Sequence, residues 1–397
     1  MTFDTAAFSQ ILTEARDGAA ARERDRDLPR DLIRRLQQAG FAAARVPESA
    51  GGDGVDLVTL FDRLITLSAA DSNVGHVFRG HLAFVEQLHF EPDAARRALW
   101  FDRVLRGDFV GNAQSELTAT SDLATTITET PQGLRLNGRK YYTTGSIYAD
   151  WIDLSARYRD EDYQVIVATA PDGVRSIDDW KGFGQRLTGS GTTTFTDVAL
   201  EPRDIRPYAD DDEYKHPYLM GFYQLVLLAV TAGIARAAVD DAVAFVRPRR
   251  RVFGFAGESL PRDNHLVQAV VGELSSAAFA ARASVLQAAR GLGDALDAYL
   301  AGERDSQRFT AAQLDVYRAQ QTVLPTVIAA TARLFEVGGA SAVDTGLDLD
   351  RHWRNARTIA THNPAIHRGR AIGEWELNGT GPEWNISAPD AAKAPPA

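Results

Sequence analysis

From Tyr218 to Ala235 the chain carries no charged side chain. A stretch so long and apolar either spans a bilayer or forms the inner helix of a bundle, buried on every side. Gln224, Thr231, Gly221 and Gly233 interrupt it, and no second stretch of this kind exists to partner it. A buried bundle helix is therefore expected, with no membrane partner. A chain of 397 residues has enough length to wrap such a helix in a sizeable core.

The hydrophobic period on either side of this segment divides the chain. Residues 1–110 read as helices, with Leu32, Leu36, Ala39 and Phe41 on one face and Pro29 near a start. Over 111–215 the period shortens towards strands. Thr125–Thr130, Gly133–Gly138, Ile152–Tyr158, Tyr163–Thr169 and Thr192–Val198 are rich in β-branched and aromatic residues. Pro131-Gln132-Gly133, Asn137-Gly138 and Pro171-Asp172-Gly173 punctuate them as turns. A compact barrel or sandwich fits this spacing. Helical spacing returns over 216–387, with the Ala-rich Ala277–Ala301 suited to close helix packing, and 388–397 reads as a low-complexity disordered tail.

Composition excludes several function classes. The net charge of -10 leaves no basic stripe for a nucleic acid, and the one basic cluster, Arg247 and Arg249–Arg251, suits a small phosphorylated ligand. There is no cysteine, which removes disulfides, thiolate nucleophiles and iron–sulfur ligands and fits a reducing cytoplasm. The N-terminal residues lack the basic and apolar regions of a signal peptide, so a cytoplasmic location is expected. His76 and His81, like His362 and His367, stand five apart instead of the i, i+4 spacing of helical metal ligands, and no metal site is expected.

Several strings recur in a family order. They are V-P-E-S-A-G-G-D-G over Val46–Gly54, G-R-K-Y-Y-T-T-G-S over Gly138–Ser146, A-D-W at Ala149–Trp151, and G-Q-R-L-T-G-S-G-T over Gly184–Thr192. Together with the order helices, strands, helices, they resemble the acyl-CoA dehydrogenase superfamily. The resemblance implies an α+β multi-domain fold: an N-terminal helical domain, a central β-barrel or sandwich and a C-terminal four-helix bundle. It also implies a homotetramer, with flavin phosphates held partly across a subunit interface. Arg250 and Phe253 resemble the family's R-x-x-F-G phosphate contact, and Gly338-Gly339 its glycine turn.

The departures bear on the chemistry. Acyl-CoA dehydrogenases remove a proton α to a thioester with a glutamate; the two positions where subgroups carry it hold Asn363 and Tyr223 here. An amide is no base, and a phenol with a pKa near ~10 is a poor one at neutral pH. The strings Gly111–Glu116, Tyr142–Ser146 and Trp353–His362 resemble instead the flavin-dependent monooxygenase branch, which includes the dibenzothiophene and alkyl-sulfur oxygenases. That likeness implies a two-component enzyme. A separate flavin reductase supplies reduced FMN (FAD is the alternative), and with O2 a C4a-hydroperoxyflavin oxygenates a small, sulfur-containing substrate. Related sulfur oxygenases often carry a second histidine where Ile359 stands. An N-hydroxylase of an amine or amino-sugar, a catalytically silent flavoprotein and an acyl-CoA dehydrogenase remain the alternatives.

Within this resemblance His81, Ser146 and His362 are the catalytic candidates, the histidines for proton handling and Ser146 as a donor on the flavin N5 side. Asn112, Ser115, Tyr142, Thr143, Thr144 and Ser146, with Arg250, Phe253, Gly338 and Gly339, are the cofactor-binding candidates. Tyr141, Trp180 and Phe183 are expected to wall the substrate pocket, rigid rings being suited to an aromatic or thioether guest.

Overall fold

The computed structural model describes residues 2–117, 123–170, 172–250 and 260–382. The N-terminal helices start where an aspartate caps them. Asp4 accepts from the amides of Ala6 and Ala7 at the head of α1 (Thr5–Asp25), Asp56 caps α3 (Leu57–Ala70), Asp71 caps α4 (Ser72–Val77) and Asp93 caps α6 (Ala94–Leu105). Between them lie α2 (Arg30–Gln38) and α5 (Arg79–Gln87). Asp71 also pairs with Arg22 at 2.8 Å, so the cap that starts α4 ties it to α1.

Eight strands follow: β1 (Val110–Ala113), β2 (Thr126–Thr130), β3 (Gly133–Lys140), β4 (Trp151–Tyr158), β5 (Glu161–Ala168), β6 (Val174–Ser176), β7 (Thr193–Leu200) and β8 (Ile205–Pro207). They form one sheet in the order β6-β7-β3-β2-β4-β5-β8, with β1 lying parallel on β4. Among the described residues the end strands β6 and β8 do not pair, so the sheet is not closed into a barrel. Tyr158 pairs with Glu161 across the two-residue turn Arg159-Asp160, both in the left-handed region that this tight hairpin requires. Asn137-Gly138, which the sequence marks as a turn, lies inside β3. There the register against β7 shifts between Leu136 and Gly138, a bulge stabilised by the Asp197 amide donating to Asn137 Oδ1 at 2.8 Å.

The C-terminal helices are α7 (Lys215–Val246), α8 (His265–Leu300), α9 (Ser306–Arg333), α10 (Arg351–Ala360) and α11 (Ala365–Asn378). Helix α7 contains the uncharged segment and packs against α3, α8 and α9. By length and composition α7 and α8 could each cross a membrane, but 89% of the apolar stretch of α7 is buried inside the fold, as in a bundle core. Each fully buried Leu, Val, Ile or Phe along it contributes about 1.5–3 kcal/mol relative to exposure. Gly233 lets α7 touch α3, since a Cβ there would sit 2.4 Å from that of Ser68. A buried polar tie crosses the same layers. Arg45 Nε donates to Glu86 Oε1 at 2.6 Å, and the Tyr218 hydroxyl on α7 donates to Glu86 Oε2.

Candidate active site

Three structural layers meet at a cavity of ≈ 1270 Å³. The α4–α5 corner contributes His76 and Arg79, the β-domain contributes Asn112, Gln114, Ser115, Tyr142, Thr144, Trp180 and Gln185, and α7 contributes Tyr223 and Gln224. The end of α10 and the turn after it add Thr358, Thr361, His362 and Asn363. A space this size exceeds the ~300–1,000 Å³ usual for a single small-ligand pocket.

A buried polar hub fixes the corner. Glu23 on α1 accepts from Asn73 at 3.0 Å, from Asn355 at 2.8 Å and from Arg354 at 3.0 Å, joining α1, α4 and α10. Asn355 and Asn73 in turn accept from the amides of Gln185 and Leu187, drawing the 185–187 loop against both helices. Gln185 is thereby held at φ 51°, in the left-handed region, and its Oε1 meets His76 Nδ1 at 3.0 Å. With Nδ1–H donating there, the Nε2 lone pair of His76 is buried and unpartnered at the cavity wall. Tyr142 is a second left-handed residue on the wall, at φ 61°. Backbone held this way is costly for a bulky residue and is typical of sites where geometry serves a ligand.

Of the three imidazoles that line the cavity, His76 and His362 are neutral at working pH, and His216 stands beside Asp211. Burial, then the charge of Arg79, pushes His76 down to about 4. His362 keeps water contact through the cavity, yet enclosing protein, then Arg79 and His76, hold it well below the ordinary imidazole value. Tyr223 is pushed up to about 12, chiefly by burial, so its phenol is no base. Three of the cavity carboxylates are matched by cations: Glu116 by Lys140 at 2.6 Å, Asp162 by Arg157 at 2.9 Å and Asp211 by Lys215 at 2.7 Å. Asp153, held by Gln164 and Gln87, is raised to about 6 by burial.

Residues 6–108 match the acyl-CoA dehydrogenase N-terminal domain and residues 225–365 its C-terminal domain. A dibenzothiophene monooxygenase of Mycolicibacterium goodii is 30% identical over 368 residues, covering 86% of each chain. A probable FMNH2-dependent monooxygenase of Pseudomonas putida is 28% identical, covering 94% of this chain and 92% of that one. The FMN-bound crystal structure of the dibenzothiophene monooxygenase of Paenibacillus sp. A11-2 superposes with a TM-score of 0.87 at 25% identity, over 96% of this chain and 98% of that one. The chain belongs to the flavin-dependent monooxygenases of the acyl-CoA dehydrogenase superfamily.

The monooxygenase cavity suits a flavin. Asn112 Oδ1 is buried without a partner on its wall, beside Ser115, Tyr142, Thr144 and Trp180, a set of polar atoms and rings matched to the edge and face of an isoalloxazine. Gly80 keeps Asn112 in place, since a Cβ there would stand 2.9 Å from Oδ1. Asn363 and Tyr223 line this same cavity.

Several sequence candidates lie elsewhere. His81 is fully buried behind the wall, stacked on Phe109 with ring centroids 4.7 Å apart. It accepts the Val110 amide on Nδ1 at 3.0 Å and donates from Nε2 to the Ala42 carbonyl at 3.2 Å. Both ring nitrogens serve backbone, so His81 has none left for proton handling. Ser146 also sits behind the wall, its hydroxyl donating to the Asn112 carbonyl at 3.1 Å; it positions Asn112 and does not face the cavity. Thr143 is turned away, bonded to the Gly191 carbonyl and to Thr193. Tyr141 backs Tyr142 edge-on at 4.8 Å without reaching the cavity. Phe183 is 54% exposed and stacks on Trp353, so of the three expected pocket rings only Trp180 is a wall.

Arg250, Gly338 and Gly339 stand away from the cavity, and Phe253 lies outside the described residues. Phe245 joins their neighbourhoods: Arg249 covers its ring at 4.3 Å, and a Cβ on Gly338 would enter that ring. His76 and Arg79 are the functional candidates that sequence reasoning missed. His76 lies near the end of α4 and His81 on α5, beyond the break at Phe78, and of the two only His76 lines the cavity.

Proposed function

We propose that this chain is the oxygenase of a two-component system, taking reduced FMN from a separate flavin reductase and using O2 to oxygenate a small sulfur-containing substrate. The observation that carries it is the pair of neutral imidazoles, His76 and His362, facing a flavin-sized cavity where the dehydrogenase base positions hold Asn363 and Tyr223. The monooxygenase names of the relatives support the reaction class, and their FMN supports the cofactor.

Bound reduced FMN supplies two electrons and activates O2, one atom of which passes to the substrate and the other to water. The chain supplies the rest. Asn112, Ser115 and Thr144 would hold the flavin, with Ser146 behind Asn112. Trp180 and Tyr142 wall the ring and limit water access, on which productive oxygen transfer depends. His76 and His362 move protons: an imidazole of lowered proton affinity releases a proton readily once it holds one. Arg250 with the Gly338-Gly339 turn contacts phosphate across a subunit boundary, which makes the working form a homotetramer. The exposed apolar side chains Leu266, Phe279 and Leu300 on α8 support such an assembly. Dependence on a cellular reductase, with a cysteine-free sequence, supports a cytoplasmic location.

The test is cofactor supply. The purified chain with FMN and NADH should oxidise no NADH and form no product, and adding a flavin reductase should start sulfoxide formation from a simple thioether. Sustained NADH oxidation by the chain alone would overturn the two-component assignment.

A further inference from the structure

Four cationic side chains are buried in the described fold: Arg45, Arg79, Lys140 and Lys215. Three have a carboxylate partner, namely Glu86 at 2.6 Å, Glu116 at 2.6 Å and Asp211 at 2.7 Å. Arg79 has none among the described residues. Its Nε makes one long bond to the Tyr223 carbonyl at 3.4 Å and its guanidinium lies over the Tyr223 ring at 4.7 Å. Its terminal nitrogens have no partner among those residues, although the side chain lines the cavity. Burying an unpaired guanidinium is among the costlier arrangements a protein can hold, and burial pushes its proton affinity down to about 10. A charge kept at that cost, at the wall of a ligand cavity, is matched by a charge on the ligand.

We infer that Arg79 is the specificity residue of this oxygenase and that the substrate carries an oxyanion, a carboxylate or a sulfur oxyacid, seated against its guanidinium. The inference rests on the proposed oxygenase function and adds the substrate's charge. The anion is assigned to the substrate rather than to the flavin because Arg79 covers the ring of Tyr223, one of the two positions where the dehydrogenases keep the base that faces their substrate. The planar fork of arginine presents parallel donors to two oxygens of such a group. Three of the cavity carboxylates are matched by cations, and Asp153 is bonded by Gln164 and Gln87. Seating an anion also bears on the imidazoles. The charge of Arg79 holds down the proton affinity of His76 and His362, and a bound oxyanion offsets it. Substrate binding then readies both rings to take up a proton.

The test compares thioethers that share a phenyl–sulfur core: methyl phenyl sulfide, (phenylthio)acetate and (phenylthio)methanesulfonate. Each is given to the FMN-supplied enzyme, and (phenylthio)acetate is also titrated by calorimetry and by its perturbation of the bound FMN spectrum. Wild type should favour at least one anion over the neutral compound by about 10²-fold in kcat/KM, mainly through KM; which anion wins separates carboxylate from sulfonate. In Arg79→Gln the ratio should approach one and (phenylthio)acetate binding should be lost, with Arg79→Lys intermediate. Neutral preference in wild type, or an unchanged ratio in a folded Arg79→Gln, overturns the inference. The wild-type ratio decides the matter if Arg79→Gln does not fold. Failure of FMN to bind, or of every thioether to be oxygenated, counts against the oxygenase function instead, and the calorimetric comparison still decides the anion site.

Discussion

The ring of His76 meets the ring of His362 edge-on, with centroids 6.3 Å apart, across the junction of α4 with the turn after α10. These side chains are far apart in sequence and arrive on different domains, held together by the Glu23 hub and the 185–187 loop. Neither nitrogen set is saturated by backbone, in contrast to His81. In the proposed function this pair is where protons would enter and leave the cavity.

Replacing either ring should disturb coupling more than folding. In His362→Ala and His76→Ala, oxygen should still be consumed, with hydrogen peroxide replacing oxygenated product. Product formation should fall by about 10²–10⁴-fold, the usual cost of losing a general acid–base. Peroxide yield against product yield checks it; wild-type coupling in both variants would make the histidines structural.

His81→Ala should behave differently. It leaves the Val110 amide and the Ala42 carbonyl buried without partners, at about 1–3 kcal/mol for each unsatisfied group. Chemical denaturation should show a clear loss of stability, while the folded fraction retains its coupling. Full stability with lost coupling would restore His81 to the mechanism.

Acid should destabilise the protein through its histidines. His76 and His81 are both lowered from 6.5 to about 4, so between these values the unfolded chain binds protons that the folded chain does not. Their contribution is complete above about pH 6.5 and is lost as pH falls towards about 4. Asp153, raised from 3.8 to about 6, acts oppositely, its contribution present below about 3.8 and lost as pH rises through about 6. Denaturation midpoints measured over this range should show a shallower acid slope in His81→Asn and a steeper one in Asp153→Asn. Slopes identical to wild type in both would contradict the burial assigned to these groups.

The phosphate cluster makes a graded prediction. Arg250→Ala should weaken reduced-FMN binding about tenfold or more, because charge-assisted bonds to phosphate are strong. Arg249→Ala should weaken it less, since that guanidinium covers Phe245. Equal, negligible effects in equilibrium binding would return the cluster to a solvated surface.

Much of the scaffold was legible in the sequence because it depends on local signals. The uncharged run announced α7, and the β-branched segments with their turns announced the five long strands. The three short strands β1, β6 and β8 carried too few residues for a period, and Asn137-Gly138 imitated a turn because a bulge uses the same residues. The site was legible in part. Asn112, Ser115, Tyr142, Thr144, Trp180 and His362 do line the cavity, but periodicity could not say which histidine of the 76–81 corner turns inward. The α4–α5 break at Phe78 decides that, and it arises from tertiary packing. The significance of Arg79 was invisible for a similar reason: its lack of a carboxylate among the described residues is a property of what folds around it.

The central claim is tested most directly by following heavy-isotope-labelled O2 through one turnover. The chain, loaded with stoichiometric reduced FMN and a thioether, is mixed with the labelled gas and the product analysed by mass. One labelled oxygen atom in the sulfoxide, formed in proportion to the reduced FMN consumed, is the predicted result. Unlabelled product, or oxygen consumption that ends only in peroxide for every substrate, would contradict it.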